Sequence, residues 1–202
     1  GRDLQYYCSL KDKDYTLKLK ENTNYYPTDC ADSNYQIKIN NNVKIIGNNG
    51  AYIGDTSPNP TKIDYVAMVV PEKSKVGITL QGITFKWIRY TDVFLHISGS
   101  KNNLIKDCYF NNIEYDGSKP KVIDIDNGDT LFDNCTFINC TSAFGCINVY
   151  DSANYYKTVH VAVMNSYFEN NYAVTCSPCI QNCGLLDVYN STFCRNSAGW
   201  WA

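Results

Sequence analysis

The sequence of 202 residues is short of charged side chains: they make up 19% of it, and 18 Lys and Arg are outnumbered by 20 Asp and Glu. A typical domain has about a quarter of its residues charged. Nucleic-acid binding requires a basic face, so we expect no nucleic-acid partner. The polar surface must come largely from Asn, Ser, Thr and Tyr, while a hydrophobic content of 44% suffices for a real core.

The chain also lacks long apolar segments and targeting signals. No run approaches the roughly 18 apolar residues of a membrane helix, and no signal peptide is present. The sequence starts at Gly1 without Met and stops at Ala202 directly after a repeat motif, which favours a processed piece of a longer protein. We therefore expect membrane or wall attachment only through parts of the protein that lie outside this sequence.

A helix-length amphipathic pattern is missing as well, and the chain instead repeats one short motif. It reads LIKDCYFNNI at residues 104–113, LFDNCTFINC at 131–140 and VMNSYFENNY at 163–172, with weaker copies on both sides. The aligned phenylalanines are 25, 27, 31 and 25 residues apart. Such a period without helices predicts stacked coils, each laying its strands in parallel on those of the coil before. These phenylalanines are Phe85, Phe110, Phe137, Phe168 and Phe193.

Residues at the same position of successive coils are expected to lie in a row along the stack, with about 4.8 Å between coils. We call such a row a lane. The phenylalanines predict a core ladder, and the small residue two positions earlier predicts a second inward ladder. The asparagine two positions later is expected to line a turn and hydrogen-bond along the stack. The small-residue lane is Cys108, Cys135, Ser166 and Ser191, and the asparagine lane is Asn112, Asn139 and Asn170.

The strands between the turns are predicted to be short. They are expected within residues 66–70, 76–85, 93–98, 122–126, 146–150 and 159–163, where β-branched and aromatic residues concentrate between polar turns. Residues 1–34 show little regularity and are predicted to cap the solenoid, because an end coil needs a polar outer surface. Residues 35–202 are predicted to form the coils.

Ten cysteines are too many for an ordinary cytosolic domain and favour an oxidising, extracellular setting. Cys8 and Cys30 are the two cysteines of the cap, so we expect a disulfide between them. Cys108 and Cys135 share a lane at a distance that suits a disulfide, and they are either bridged or small buried thiols. A C-terminal cluster with a C-x-x-C is expected to form disulfides, a zinc site and free thiols being the alternatives. The cluster consists of Cys176, Cys179, Cys183 and Cys194.

The segment NNVKIIGNNGAYIG at residues 41–54, followed by the F-x-N coils, resembles the right-handed parallel β-helix, or pectin-lyase-like, superfamily. More narrowly, residues 35–198 resemble the adhesin-like surface proteins of methanogenic archaea. The resemblance implies an all-β, right-handed parallel β-helix, a solenoid with an N-terminal cap, displayed on a cell surface. Those repeats often carry a Gly-Gly-Ala-Ile strand start, whereas this chain reads FGCINV and SPCIQN at the corresponding places.

Residues suited to catalysis are few. Asp124 and Asp126 alternate onto one outward strand face, where a carboxylate pair could serve a hydrolase or bind Ca²⁺, although a solvated strand face explains the same residues. The Asp-Asp and Gly-His-Gly signatures of β-helical hydrolases and a lyase-like arginine cluster are absent. His96 and His160 lie inside predicted strands without an acidic partner nearby in sequence. We predict no cofactor and no metal site.

Aromatic residues make up 14% of the chain, and several lie in or beside predicted turns. Rings at such places either bind sugars or proteins, or pack at coil edges. Tyr155 and Tyr156 belong to the 31-residue coil, whose extra residues predict a protruding loop. Trp87 and Tyr90 form the second candidate pair for ligand binding.

We predict a non-enzymatic, adhesin-like binding or stalk module of the extracellular cell surface, whose partner is a surface glycan or a protein of another cell. The alternative is a carbohydrate-active β-helix enzyme, either a polysaccharide lyase or a glycoside hydrolase. Three sequons, at Asn134, Asn139 and Asn190, permit glycosylation.

Overall fold

The computed structural model describes residues 2–26, 36–64, 66–117, 120–150 and 159–200. These residues form one short helix and a long series of short strands. The elements are α1 (Arg2–Ser9), β1 (Thr16–Lys18), β2 (Asn24–Tyr25), β3 (Ile37–Lys38), β4 (Lys44–Ile46), β5 (Tyr52–Gly54), β6 (Lys62–Ile63), β7 (Met68–Val70), β8 (Thr79–Gln81), β9 (Thr84–Tyr90), β10 (Val93–Ile97), β11 (Asn103–Lys106), β12 (Tyr109–Tyr115), β13 (Lys121–Ile125), β14 (Thr130–Asp133), β15 (Thr136–Ile138), β16 (Thr141–Ser142), β17 (Ile147–Val149), β18 (His160–Met164), β19 (Tyr167–Glu169), β20 (Tyr172–Ala173), β21 (Ile180–Asn182), β22 (Leu185–Tyr189), β23 (Thr192–Cys194) and β24 (Ser197–Ala198).

Successive strands enter three parallel sheets in turn. The first sheet has the order β1-β4-β8-β11-β14-β18-β22, the second β2-β5-β9-β12-β15-β19-β23, and the third β3-β7-β10-β13-β17-β21. β6 also pairs with β9, and β16, β20 and β24 form a short fourth sheet. The chain passes six times through all three sheets, so the predicted all-β parallel solenoid is confirmed.

A ladder of phenylalanine rings runs through the core in the predicted register. Phe85, Phe110, Phe137, Phe168 and Phe193 pair across neighbouring strands of the second sheet. Their successive ring centroids lie 4.7, 4.5, 4.9 and 4.8 Å apart, and the planes are within 7° of parallel. The first four rings are fully buried, whereas Phe193 in the last coil is 46% exposed. The spacing of the ladder follows from the spacing of hydrogen-bonded strands.

The small-residue lane next to this ladder satisfies main-chain groups at a corner. The Cys135 thiol donates to the carbonyl oxygen of Ile105, 3.2 Å away. The Ser166 hydroxyl accepts the Cys135 N–H at 3.1 Å and donates to the Met164 carbonyl at 2.9 Å. A thiol or hydroxyl at this position therefore pairs buried main-chain groups that an apolar side chain would leave unpaired.

Each coil turns at two corners where the backbone adopts positive φ. One corner lane runs through Asp107, Asn134, Asn165 and Asn190, with φ between 45° and 54°. The other lane is the predicted asparagine lane, extended at its two ends by unrelated residues, and its φ values lie between 51° and 58°. Asparagine tolerates this conformation better than most residues. The second lane consists of Trp87, Asn112, Asn139, Asn170 and Arg195.

The hydrogen-bonded amides lie elsewhere than predicted. Asn190 Nδ2 donates to Asn165 Oδ1 at 2.7 Å in the first corner lane. Beside the second corner, Asn171 and Asn196, one residue later than expected, donate to the carbonyls of Phe137 and Phe168 at 3.0 and 2.9 Å. The residues with positive φ turn the chain, and the next residue points inward and pairs the buried carbonyls.

The N-terminal segment is more regular than its sequence indicates. α1 contacts β3, and Leu4 and Cys8 of the helix are buried in the core. β1 and β2 pair with β4 and β5, so the first coil already begins at Thr16, within the segment assigned to the cap. Among the described residues, no helix has the length and apolar character required to cross a membrane.

Candidate functional site

The outward face of the third sheet carries the two predicted carboxylates. β13 lies between β10 and β17, and its residues Ile123 and Ile125 are fully buried. Because side chains alternate along a strand, Asp124 and Asp126 project from the other face. His96 of β10 is in register with Asp124. The sheet thereby places an imidazole beside both carboxylates.

His96 lies between the two carboxylates. Its Nε2 atom is 3.0 Å from Asp126 Oδ2 and 3.8 Å from Asp124 Oδ2. No acidic residue lies in the strand that carries His96, and both of its partners come from the next coil rather than from its own strand. His160 is paired in the same way, with Nε2 2.5 Å from Oδ2 of Asp187 on the neighbouring strand.

Asp124 is buried, with 6% of its surface exposed, and its charge is compensated. Lys121 Nζ lies 3.5 Å from Asp124 Oδ2, and Asn148 Nδ2 donates to Oδ1 at 2.8 Å. A buried carboxylate without such partners would be strongly destabilising. We call the group of His96, Ser98, Lys121, Asp124, Asp126 and Asn148 the His96 cluster.

Opposing influences set the protonation of the cluster. Burial favours a higher pKa for Asp126, but hydrogen bonds from His96 and Ser98 outweigh it and lower the pKa from its ordinary value. Burial acts to lower the pKa of His96, but the hydrogen bond to Asp126 and the charges of Asp126 and Asp124 raise it overall. The cluster therefore favours an imidazolium held by two carboxylates.

The arrangement is not a nucleophilic triad. Ser98 Oγ and Asp126 Oδ2 both lie 3.0 Å from the same nitrogen, His96 Nε2. A triad needs the serine and the carboxylate on opposite nitrogens of the ring, so that one orients the ring while the other loses a proton. The Ser98 hydroxyl instead donates to Asp126.

An exposed aromatic ring borders the His96 cluster. Tyr150 directly follows β17 and is 46% exposed. The Lys121 ammonium lies 5.9 Å from the centre of the Tyr150 ring and 5.8 Å from that of Phe144. This ring was not predicted from the sequence, because only the coil stacking brings it to the side of Lys121.

The second sheet presents a regular row of side chains to solvent. They alternate along the strands with buried partners such as Ile53 and Phe85, so they face outward. Tyrosine and threonine alternate from coil to coil, and Tyr109 is 37% exposed. We call this row the tyrosine stripe. It consists of Tyr52, Thr84, Tyr109, Thr136, Tyr167 and Thr192, which pair in register on β5, β9, β12, β15, β19 and β23.

Trp87 lies beside one end of the tyrosine stripe. Its ring is partly exposed and meets the Tyr52 ring edge to face, with centroids 6.4 Å apart. The Lys86 ammonium lies 4.4 Å from the centre of the Trp87 ring and 4.2 Å from that of Tyr52. Trp87 has a φ of 55° at a corner where three other coils have asparagine. A bulky residue in this region is strained by about 1–3 kcal/mol.

Of the other predicted ligand-binding rings, the structure places Tyr90 in the core. Tyr90 is fully buried, and its hydroxyl donates to the Thr141 carbonyl at 3.0 Å. The surface position expected for Tyr90 is therefore wrong: the seven-residue strand β9 carries it past the corner and back into the core. Burial raises the pKa of Tyr90 well above its ordinary value. Tyr155 and Tyr156 lie outside the described residues.

The cysteines of the coils are thiols. The disulfides expected within the C-terminal cluster are not formed, and of the two alternatives for Cys108 and Cys135 the structure has the buried thiols. Burial raises the pKa of Cys108 to about 12, which suppresses the thiolate needed for disulfide exchange. Cys30 lies outside the described residues, so its bridge to Cys8 stays a prediction. The thiols are Cys108, Cys135, Cys140, Cys146, Cys176, Cys179, Cys183 and Cys194.

Within the described part of the chain, no group of three or more His, Cys, Asp or Glu side chains is arranged to hold a metal ion. The zinc alternative for the C-terminal cluster thus has no geometric support there. Comparison of the chain with protein-family models, with curated proteins and with solved structures finds no match. Its function is therefore inferred from the side chains that its own surface presents.

Proposed function

We propose that this chain is a non-enzymatic binding module of an extracellular, adhesin-like surface protein, and that it contacts a glycan through the tyrosine stripe and Trp87. The observation that carries the proposal is the row of outward-facing rings on the second sheet, next to a strained tryptophan. Aromatic faces stack on the apolar faces of sugar rings, while the phenol hydroxyls remain able to hydrogen-bond. The sequence resemblance to adhesin-like β-helix proteins supports the same assignment.

The strain at Trp87 supports a role in binding rather than in packing. Asn112 and Asn139 make the same turn in neighbouring coils without a bulky side chain. Strained residues persist mainly where the side chain has a function. The ring also stays partly exposed and holds the Lys86 ammonium above it, so that one aromatic face and one cation border the tyrosine stripe.

The proposal is tested with a glycan array and with binding to intact cells. Tyr109→Ala should reduce glycan binding by a few-fold to about tenfold, as expected for one lost aromatic contact. Tyr172→Ala is the matched control, because Tyr172 is 40% exposed against 37% for Tyr109 and lies on the short fourth sheet. Equal binding by the two variants would reject the tyrosine stripe as the site.

The protein for this experiment should come from a host without N-glycosylation. The three sequon residues, Asn134, Asn139 and Asn190, are all exposed, and they lie at the corners that flank the second sheet. Attached glycans would stand beside the tyrosine stripe and obscure its own binding.

A glycoside hydrolase is the second candidate, and the His96 cluster is the observation that favours it. Hydrolysis of a glycosidic bond uses two carboxyl groups, one of which keeps its proton to act as an acid. The hydrogen bonds that lower the pKa of Asp126 oppose that role. Asp124 already accepts from Asn148 and faces Lys121. Both carboxylates are therefore better suited to stabilising the face of the sheet.

The two candidates differ in what Asp126→Asn does. An enzyme would lose polysaccharide cleavage, measured as new reducing ends, whereas a binding module releases none in either form. Cleavage by the wild-type chain that disappears in Asp124→Asn or Asp126→Asn would overturn the non-enzymatic assignment.

A further inference from the structure

We propose that the ligand of the tyrosine stripe is an extended, uncharged, β-linked polysaccharide that lies parallel to the solenoid axis. This inference rests on the proposed glycan binding of that face and adds the shape, charge and direction of the ligand.

The spacing of the rings sets the shape of the ligand. Tyr52, Tyr109 and Tyr167 occupy the same lane in every second coil. Two coils are about 10 Å apart, which is close to the length of one disaccharide in an extended β-linked chain. In such a chain successive sugars are turned over, so every second sugar presents the same face. A row of rings at this spacing can therefore stack on equivalent sugars along one polymer.

The threonines between the rings match the sugars of opposite orientation. Thr84 and Thr136 pair directly with the tyrosines on both sides. Their side chains are much shorter than a phenol ring and end in one hydroxyl and one methyl group. Each threonine leaves room for the intervening sugar and offers it a hydrogen-bonding hydroxyl.

The charge of the surface favours a neutral polymer. All six residues of the tyrosine stripe are uncharged. In the neighbouring lane the Glu169 carboxylate is paired with Arg195, and the Lys86 ammonium lies over the rings of Tyr52 and Trp87. A uronic acid polymer would find no row of cations here, and nucleic acid would find none either. An uncharged surface instead avoids the desolvation of ionic groups that imperfect pairing would make costly.

Binding should depend on ligand length if several rings engage one chain. The probes are cello- and chito-oligosaccharides from the disaccharide to the hexasaccharide, with oligogalacturonate as the charged comparison. Affinity by calorimetry should rise about tenfold or more once the oligosaccharide reaches two rings, because the second contact becomes intramolecular. Tyr52→Ala, Tyr109→Ala and Tyr167→Ala should each weaken hexasaccharide binding more than disaccharide binding, whereas Tyr172→Ala should change neither.

The outcomes separate this inference from the proposed function. If Tyr109→Ala loses glycan binding but the disaccharide binds as tightly as the hexasaccharide, the extended ligand is overturned and glycan binding stands. Preference for oligogalacturonate would likewise overturn the uncharged ligand alone. If the wild-type chain binds no glycan on the array, both proposals fail. Circular dichroism confirms that each variant keeps the strand content of the wild type.

Discussion

The phenylalanine ladder predicts that one buried ring stabilises the solenoid far more than an identical ring in the last coil. Phe137 is fully buried, with the Phe110 ring 4.5 Å away on one side and the Phe168 ring 4.9 Å away on the other. Replacing such a residue by alanine removes its transfer free energy and leaves a cavity, at a cost of about 3–5 kcal/mol. Phe193 is 46% exposed and stacks on Phe168 alone among the described rings.

The cost of Phe193→Ala should therefore be about 1 kcal/mol, since only half of the ring is buried and no enclosed cavity forms. A chain of this length loses about 2–4 °C in Tm per kcal/mol. Phe137→Ala should lower Tm by about 10 °C and Phe193→Ala by about 2–4 °C. Thermal unfolding followed by circular dichroism, together with guanidinium titration, measures both. Equal losses for the two variants, or a loss below about 1 kcal/mol for Phe137→Ala, would refute the ladder as the main source of core stability.

Two further predictions concern the His96 cluster and the thiol lane. The contacts that raise the pKa of His96 contribute stability that is fully present below pH 6.5 and is lost as pH rises through the folded pKa. The contacts that lower the pKa of Asp126 contribute stability that is present above pH 3.8 and is lost as pH falls through the folded pKa. Wild-type Tm should thus fall relative to His96→Gln as pH rises above 6.5 and through the raised pKa of His96, and a constant difference would contradict the pairing. Cys135→Ser should cost less than about 1 kcal/mol, because serine can make the same hydrogen bonds, whereas Cys135→Val should cost about 1–3 kcal/mol by removing the side-chain donor to the buried carbonyl of Ile105. A cost of 2–5 kcal/mol for Cys135→Ser, the amount typical of a lost disulfide, would instead indicate a Cys108–Cys135 bridge.

The repeat pattern was sufficient to predict the fold and the position of the ladder. Phe110 and Phe137 were aligned by the motif and are partners in the structure. The corner asparagines were identified, but their hydrogen bonding was assigned one residue too early. The alternation of inward and outward side chains along a strand does not show where a residue with positive φ interrupts it. Asn170 has positive φ, and the side chain of the next residue, Asn171, points inward.

The candidate surfaces were only partly predictable. Asp124 and Asp126 were found because they alternate on one strand, which is a local pattern. Their contact with His96 was missed, because it joins residues one coil apart whose register depends on every turn between them. Tyr90 was a candidate for ligand binding because it lies beside a predicted turn, with packing as the alternative, and a strand that continues past the corner buries it.

The sequence by itself determined the period, the parallel stacking and the lane of each motif residue, because these follow from local alternation repeated at a fixed interval. The motif already aligns Tyr109 with Tyr167, since each directly precedes its phenylalanine. Only the tertiary structure showed that Tyr52, which lies outside the motif, shares their lane, because the coils between the three tyrosines differ in length. Hydrogen bonding between coils fixes their register regardless of that length, since extra residues are absorbed in the turns, and it sets the three rings in one line.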